Sequence, residues 1–199
     1  IRMGGRAIKY TTDTGAIVFY NNANLAGISG SLGRIFSTLT DGSNPRFSST
    51  FSSCTNLTGN IPEELFDGIS GSPVAGMFQS TFNGCTGLTG SIPTNLFAGI
   101  SGAPQPYMYN AVFYGCSGLT GEIPSGLFGT FDGAPANGMF ETAFYGCSGL
   151  TGKIPENLFA GIIGAPAGSM FSSLFYDCKK LEGPIPENLF AGISGKPAA

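Results

Sequence analysis

The sequence predicts an α/β solenoid: a right-handed coil of 31-residue units, each with one short parallel strand and two helical or 3₁₀ turns, capped by an N-terminal β-hairpin. Three observations predict it. Cys54, Cys85, Cys116, Cys147 and Cys178 stand 31 residues apart. Everything around each cysteine repeats with them, as RFSSTFSSCTNLTGNIPEELFDGISGSPVAG (46–76) and MFQSTFNGCTGLTGSIPTNLFAGISGAPQPY (77–107) show. A period of this size marks units too small to fold alone, which bury their apolar faces against one another. Within a unit, finally, the apolar spacing changes from that of a helix to that of a strand and back.

The unit 77–107 justifies each element. Phe78, Phe82 and Cys85 fall at i, i+4 and i+7, the stripe of a short helix, and Gly84 and Gly87 sit where it would end. In the extended run that follows, Leu88 and Ile92 point one way while Thr89 and Ser91 point the other. Pro93 closes the strand and starts a helical turn. Leu96, Phe97 and Ile100 form a second cluster at helical spacing, broken by Gly99, Gly102 and Pro104. Strands stacked in register lie parallel, with right-handed crossovers. The columns headed by Leu57, Gly59, Ile61, Pro62, Leu65, Phe66, Gly71 and Pro73 do not vary between units. They report packing, since each buried Leu, Ile or Phe contributes roughly 1.5–3 kcal/mol.

The units divide the chain. Residues 1–23 are expected to form the hairpin cap, because β-rich runs at Ala7–Thr11 and Ala16–Tyr20 flank Thr12-Asp13-Thr14-Gly15. Residues 24–45 read as a degenerate repeat, with Asn24-Leu25-Ala26-Gly27 echoing Asn56-Leu57-Thr58-Gly59 and Ile35-Phe36 echoing Leu65-Phe66. Five regular units follow at 46–76, 77–107, 108–138, 139–169 and 170–199. The fifth is still at full strength at Ala199, which predicts either further chain or a docking partner over its apolar face and strand edge. From the start at Ile1 a processed product, an engineered piece or a fragment is expected, with any targeting signal lost.

Composition narrows the function. Charged residues are 11% and the net charge is −3, which leaves no basic footprint for nucleic acid. A surface of Ser, Thr, Asn and Gly fits an extracellular or cell-surface setting. No apolar run is long enough for membrane insertion. Without His there is no Ser-His-Asp or Cys-His set, and no phosphate-binding or dinucleotide fingerprint occurs, so no enzyme and no cofactor is expected. Glu63, Glu156 and Glu187 recur in the Ile-Pro-Glu turn, where negative charge favours a helix start. Thr40-Asp41-Gly42 and Thr130-Phe131-Asp132-Gly133 read as turns, with too few carboxylates for calcium.

The run F-x-G-C-[TS]-G-L-T-G-x-I-P, at Phe82–Pro93 and Phe144–Pro155, resembles the leucine-rich repeats of bacterial BspA-like surface proteins. Its L-T-G-x-I-P portion also resembles the plant extracellular leucine-rich repeat. The resemblance covers residues 46–199, and its units are longer than the usual 20–29 residues. It implies a non-enzymatic extracellular module for protein or glycan recognition or adhesion, with ligand on the sheet face.

Four features are candidates for that role. The cysteine column lacks the clustered pairs of a zinc site. Disulfides are disfavoured because stacked positions lie ~4.8 Å apart while a bridge wants Cβ atoms ~3.8 Å apart. The column reads as a structural ladder of buried thiols. Tyr114, Tyr145 and Tyr176 form a second column, with Tyr107 and Tyr109 adding aromatic density; it reads either as a binding surface or as an aromatic ladder covering the flank. The position before Ile-Pro varies most, as Asn60, Ser91, Glu122, Lys153 and Pro184, beside the column Thr58, Thr89, Thr120, Thr151 and Glu182. Ser91, Glu122 and Lys153 are the contact residues this implies, although drift on a solvated face yields the same pattern. Asn56-Leu57-Thr58 matches a glycosylation sequon. A second reading is a structural subunit that polymerises head-to-tail, the hairpin of one copy covering the open face of the next.

Overall fold

The structure, a computed structural model, describes residues 9–11, 16–32 and 47–196. The expected turn at Thr12–Gly15, the Ile35-Phe36 echo and the turn at Thr40-Asp41-Gly42 lie outside these residues. Strands β1 (Lys9–Thr11) and β2 (Ala16–Val18) pair antiparallel, Tyr10 opposite Ile17. β3 (Ser101–Gly102) and β4 (Thr130–Phe131) pair parallel.

These elements overturn the expected α/β solenoid of the leucine-rich-repeat kind. No helix occurs among the described elements, and parallel pairing amounts to β3–β4 plus isolated bridges such as Gly59↔Leu88 and Gly121↔Leu150. A coil of that class needs a parallel sheet through all its units and helical turns behind it. Neither the Leu88–Ile92 strand nor the Phe78–Cys85 helix is formed.

A ribbon of overlapping tight turns stands in place of the helix. Met77, Gln79, Thr81, Asn83 and Cys85 donate their N–H groups to the carbonyls of Val74, Gly76, Phe78, Ser80 and Phe82, three residues back in each case. The residues between them turn outward: Phe78, Ser80, Phe82 and Gly84 donate to Met108, Asn110, Val112 and Tyr114 of the next unit at 2.7–2.9 Å. A helix cannot do this, because it spends every interior N–H on its own i−4 carbonyl. Gly76, Ser80 and Gly84 adopt φ of +64°, +56° and +72°, which breaks helical geometry every fourth residue. The Leu96–Ile100 cluster also lies in tight turns, with Leu96, Ala98 and Ile100 bonded to Pro93, Asn95 and Phe97.

Side chains repeat the same registration. Phe51, Phe82, Phe113 and Phe144 stack ring on ring at 5.5–5.7 Å. Phe47, Phe78, Tyr109 and Phe140 form a parallel row, and Phe66, Phe97 and Phe128 pack obliquely between the two. Leu57, Leu88, Leu119 and Leu150 are fully buried beside them. No buried side-chain polar atom among the described residues lacks a partner. Also among them, no helix is long and apolar enough to cross a membrane.

Candidate functional site

The variable column lies along the line of isolated bridges. Thr89, Thr120, Thr151 and Glu182 donate backbone N–H groups to Gly59, Gly90, Gly121 and Gly152 of the preceding unit at 2.8–2.9 Å. This pins the neighbouring positions in register, and Asn60, Ser91, Glu122 and Lys153 are all exposed. Each lies over the glycine of the next unit. A Cβ on Gly121 would stand 3.4 Å from the Ser91 Cβ, one on Gly152 2.6 Å from the Glu122 Cγ, and one on Gly183 3.3 Å from the Lys153 Cγ. The glycine of L-T-G therefore leaves room for its neighbour's side chain. Glu122 and Lys153 present opposite charges one unit apart without joining; the ion pair found among the described residues is Lys179–Asp177 at 3.1 Å.

The tyrosine column is a stack. Tyr114 and Tyr145 rings lie 4.6 Å apart at 6°, and Tyr145 and Tyr176 4.8 Å apart at 16°. Stacking uses up the ring faces between them, so the row offers mainly its hydroxyl edge to solvent. Tyr176, at the end of the row, is 60% exposed. Desolvation by its neighbours, then repulsion from Tyr114, Tyr176 and Asp177, raises the Tyr145 phenol above its ordinary value. At neutral pH the Tyr145 hydroxyl is uncharged.

The cysteines occupy the interior. Cys85, Cys116, Cys147 and Cys178 donate their thiols to the carbonyls of Phe51, Phe82, Phe113 and Phe144 at 3.0 Å, and Cys54 donates to Phe19 at 3.2 Å. Burial pushes all five thiols up, Cys85 to about 12 and Cys178 to about 11. A neutral thiol is the donor this geometry needs; a thiolate could not make the bond. All five are free, and no group of metal-binding side chains occurs among the described residues.

Two features escape the sequence reading. Tyr109 belongs to the core, not to surface aromatic density: it is fully buried, and its hydroxyl donates to Phe128 O at 3.3 Å. Tyr107 is 45% exposed at φ +57°, in a column that holds Gly76 and Gly138 in the flanking units. An aromatic residue in a column held elsewhere by Gly76, Gly138 and Ser169 is the signal that would have singled it out. The sequon residue Asn56 is exposed, with its Nδ2 donating to Ala23 O at 2.9 Å.

Compared with known proteins, the chain matches no family model, and no curated protein or solved structure is similar to it.

Proposed function

We propose that the chain is a non-enzymatic recognition or adhesion module that acts outside the cell and holds a protein or glycan ligand across its exposed columns. One observation carries this reading. Backbone bonds fix Ser91, Glu122 and Lys153 in an exposed row, each over a glycine, while the residues beneath are the same from unit to unit. Constant scaffold beneath and changing chemistry above is how a rigid surface acquires a specific partner. The resemblance of Phe82–Pro93 and Phe144–Pro155 to repeats of bacterial BspA-like surface proteins supports the extracellular setting. The test is an array of extracellular-matrix proteins and glycans probed with the chain and with a triple variant, S91K/E122K/K153E. The variant is expected to lose the bound ligand while unfolding at the same temperature. Unchanged binding by the variant would sink the reading.

A further inference from the structure

We infer that Tyr107 and the side chains around Gly138 form a binding site for a neutral sugar residue of a glycan. The inference rests on the recognition reading and names one of its ligand classes. Tyr107 pays for its position. A β-carbon at φ +57° is disfavoured, and aromatic residues seldom adopt this region. The corresponding residues of the flanking units, Gly76 and Gly138, adopt φ of +64° and +59° without that penalty. Nothing in the scaffold requires the ring, since the units on either side do without one. The fold imposes a positive φ at this turn whatever the residue, as at Ser169 (+54°) in the same column and at Ala111 and Thr142, so it is the ring itself that sets Tyr107 apart.

The ring packs against the next unit. A Cβ on Gly138 would stand 2.5–2.6 Å from the Tyr107 ring carbons Cε1 and Cδ1, so this glycine leaves room for that side of the ring. Tyr107 itself is 45% exposed and stacks on no other aromatic ring among the described residues, unlike the self-stacked row at Tyr114, Tyr145 and Tyr176. Part of the ring is therefore open to solvent. Polar groups border it. The same point above Gly138 is 3.2 Å from Glu141 Oε2, which accepts from Asn110 Nδ2 at 3.1 Å, and Asn110 Oδ1 accepts from Gln79 Nε2 at 3.3 Å. The second carboxylate oxygen of Glu141 has no hydrogen-bond partner among the described residues.

An unstacked, part-exposed ring beside a carboxylate and two amides matches the chemistry of a pyranose. The axial C–H face of a sugar packs on a ring face, while its hydroxyls take directional bonds from carboxylate and amide groups. No cation lies in this set, which argues against sialylated or sulfated ligands.

The test is a glycan array carrying neutral, sialylated and sulfated oligosaccharides, followed by calorimetric titration of the best neutral binder. The full chain should bind a neutral oligosaccharide. Y107G, which restores the residue of the flanking units, should lose about 10-fold or more in affinity without a lower unfolding temperature. Y107F keeps the ring and should bind within a few-fold of the parent. E141Q should also weaken binding. Binding of charged glycans only, retention by Y107G, or equal loss in Y107F and Y107G would each overturn the inference. Retention by Y107G together with loss in S91K/E122K/K153E would overturn this site and leave the broader recognition reading standing. A ligand that survives both variants would remove both.

Discussion

Cys85 donates its thiol hydrogen to the carbonyl of Phe51, 34 residues earlier, at 3.0 Å. The same bond recurs from Cys116 to Phe82 and from Cys147 to Phe113. Each ties the turn ribbon of one unit to the ribbon of the one before, in a place where only a small, apolar, weakly donating side chain fits.

Stability is therefore expected to fall in alkali. A thiol whose folded pKa lies above its unfolded value keeps its proton longer in the native state. Its contribution is complete below the unfolded value of about 8.5 and is lost as pH rises through the folded value, about 12 for Cys85. Each thiol that ionises only on unfolding lowers stability by about 1.4 kcal/mol per pH unit in that window. Tyr109, its phenol also raised by burial, adds to the loss above pH ~10. Urea denaturation between pH 7 and 11 measures this, and Cys85→Ser should reduce the slope. A flat profile would contradict it. The same burial predicts order in alkylation: half-buried Cys178 should react with iodoacetamide before the buried Cys85, Cys116 and Cys147.

The ring ladder carries more of the stability than any polar group. Phe113 is fully buried and stacks on Phe82 at 5.6 Å and on Phe144 at 5.7 Å. Phe113→Ala removes both contacts and opens a cavity that the flanking units cannot close without losing register. It is expected to cost about 3–5 kcal/mol, and Phe113→Leu clearly less. Chemical denaturation of the two variants checks the difference.

How much of this was legible in the sequence depends on what each residue type encodes. The period and the buried columns were legible, because Leu88, Phe78, Phe82 and Cys85 must face inward whatever the backbone does. The class of backbone was not. A helix and a ribbon of overlapping turns both bring positions i and i+4 to one face, so the Phe78–Phe82–Cys85 spacing cannot separate them. What separates them is the destination of alternate N–H groups, and those of Ser80 and Phe82 go to Asn110 and Val112. Ser80 at φ +56° gives no warning in its identity. The strand at Leu88–Ile92 shrank to a single bridge because Gly90, at φ +74°, turns the chain before Pro93 can end it. Of the candidate site, the exposed column was visible as variation and the tyrosine ladder as one of two readings of its column, whereas the ring spacings in that ladder and the contact of Tyr107 with Gly138 required coordinates.

Tyr109 offers a test of the one hydroxyl inside the aromatic row. Its ring lies between Phe78 at 5.5 Å and Phe140 at 5.7 Å, and its hydroxyl reaches Phe128 O at 3.3 Å. Phe occupies this place in the adjacent units, so Tyr109→Phe keeps the packing and gives up a single long hydrogen bond. The expected loss is at most about 0.5–1.5 kcal/mol, and alkaline destabilisation should ease. A loss above about 3 kcal/mol in thermal unfolding would mean that the hydroxyl has a role this bond does not account for.

Two glycines make an opposed pair. A Cβ on Gly118 would stand 2.4 Å from Leu88 O and 2.8 Å from Thr86 O, both backbone atoms of the preceding unit. The Leu88 carbonyl has little room to retreat, because Leu88 is fully buried between units. Gly118→Ala must therefore push two units apart, and a loss of about 1–3 kcal/mol is expected, as for other overpacked sites. Gly126 is the reverse. No heavy atom lies within 4 Å of its Cβ position and its φ is not positive, so alanine fits without strain. Gly126→Ala should stabilise by about 0.4–1 kcal/mol, through a less mobile unfolded chain. Thermal unfolding of the two variants side by side reads out both signs. If Gly118→Ala proved neutral, the units would not be packed backbone against backbone at the L-T-G turn, and the registration of Ser91, Glu122 and Lys153 would lose its physical basis.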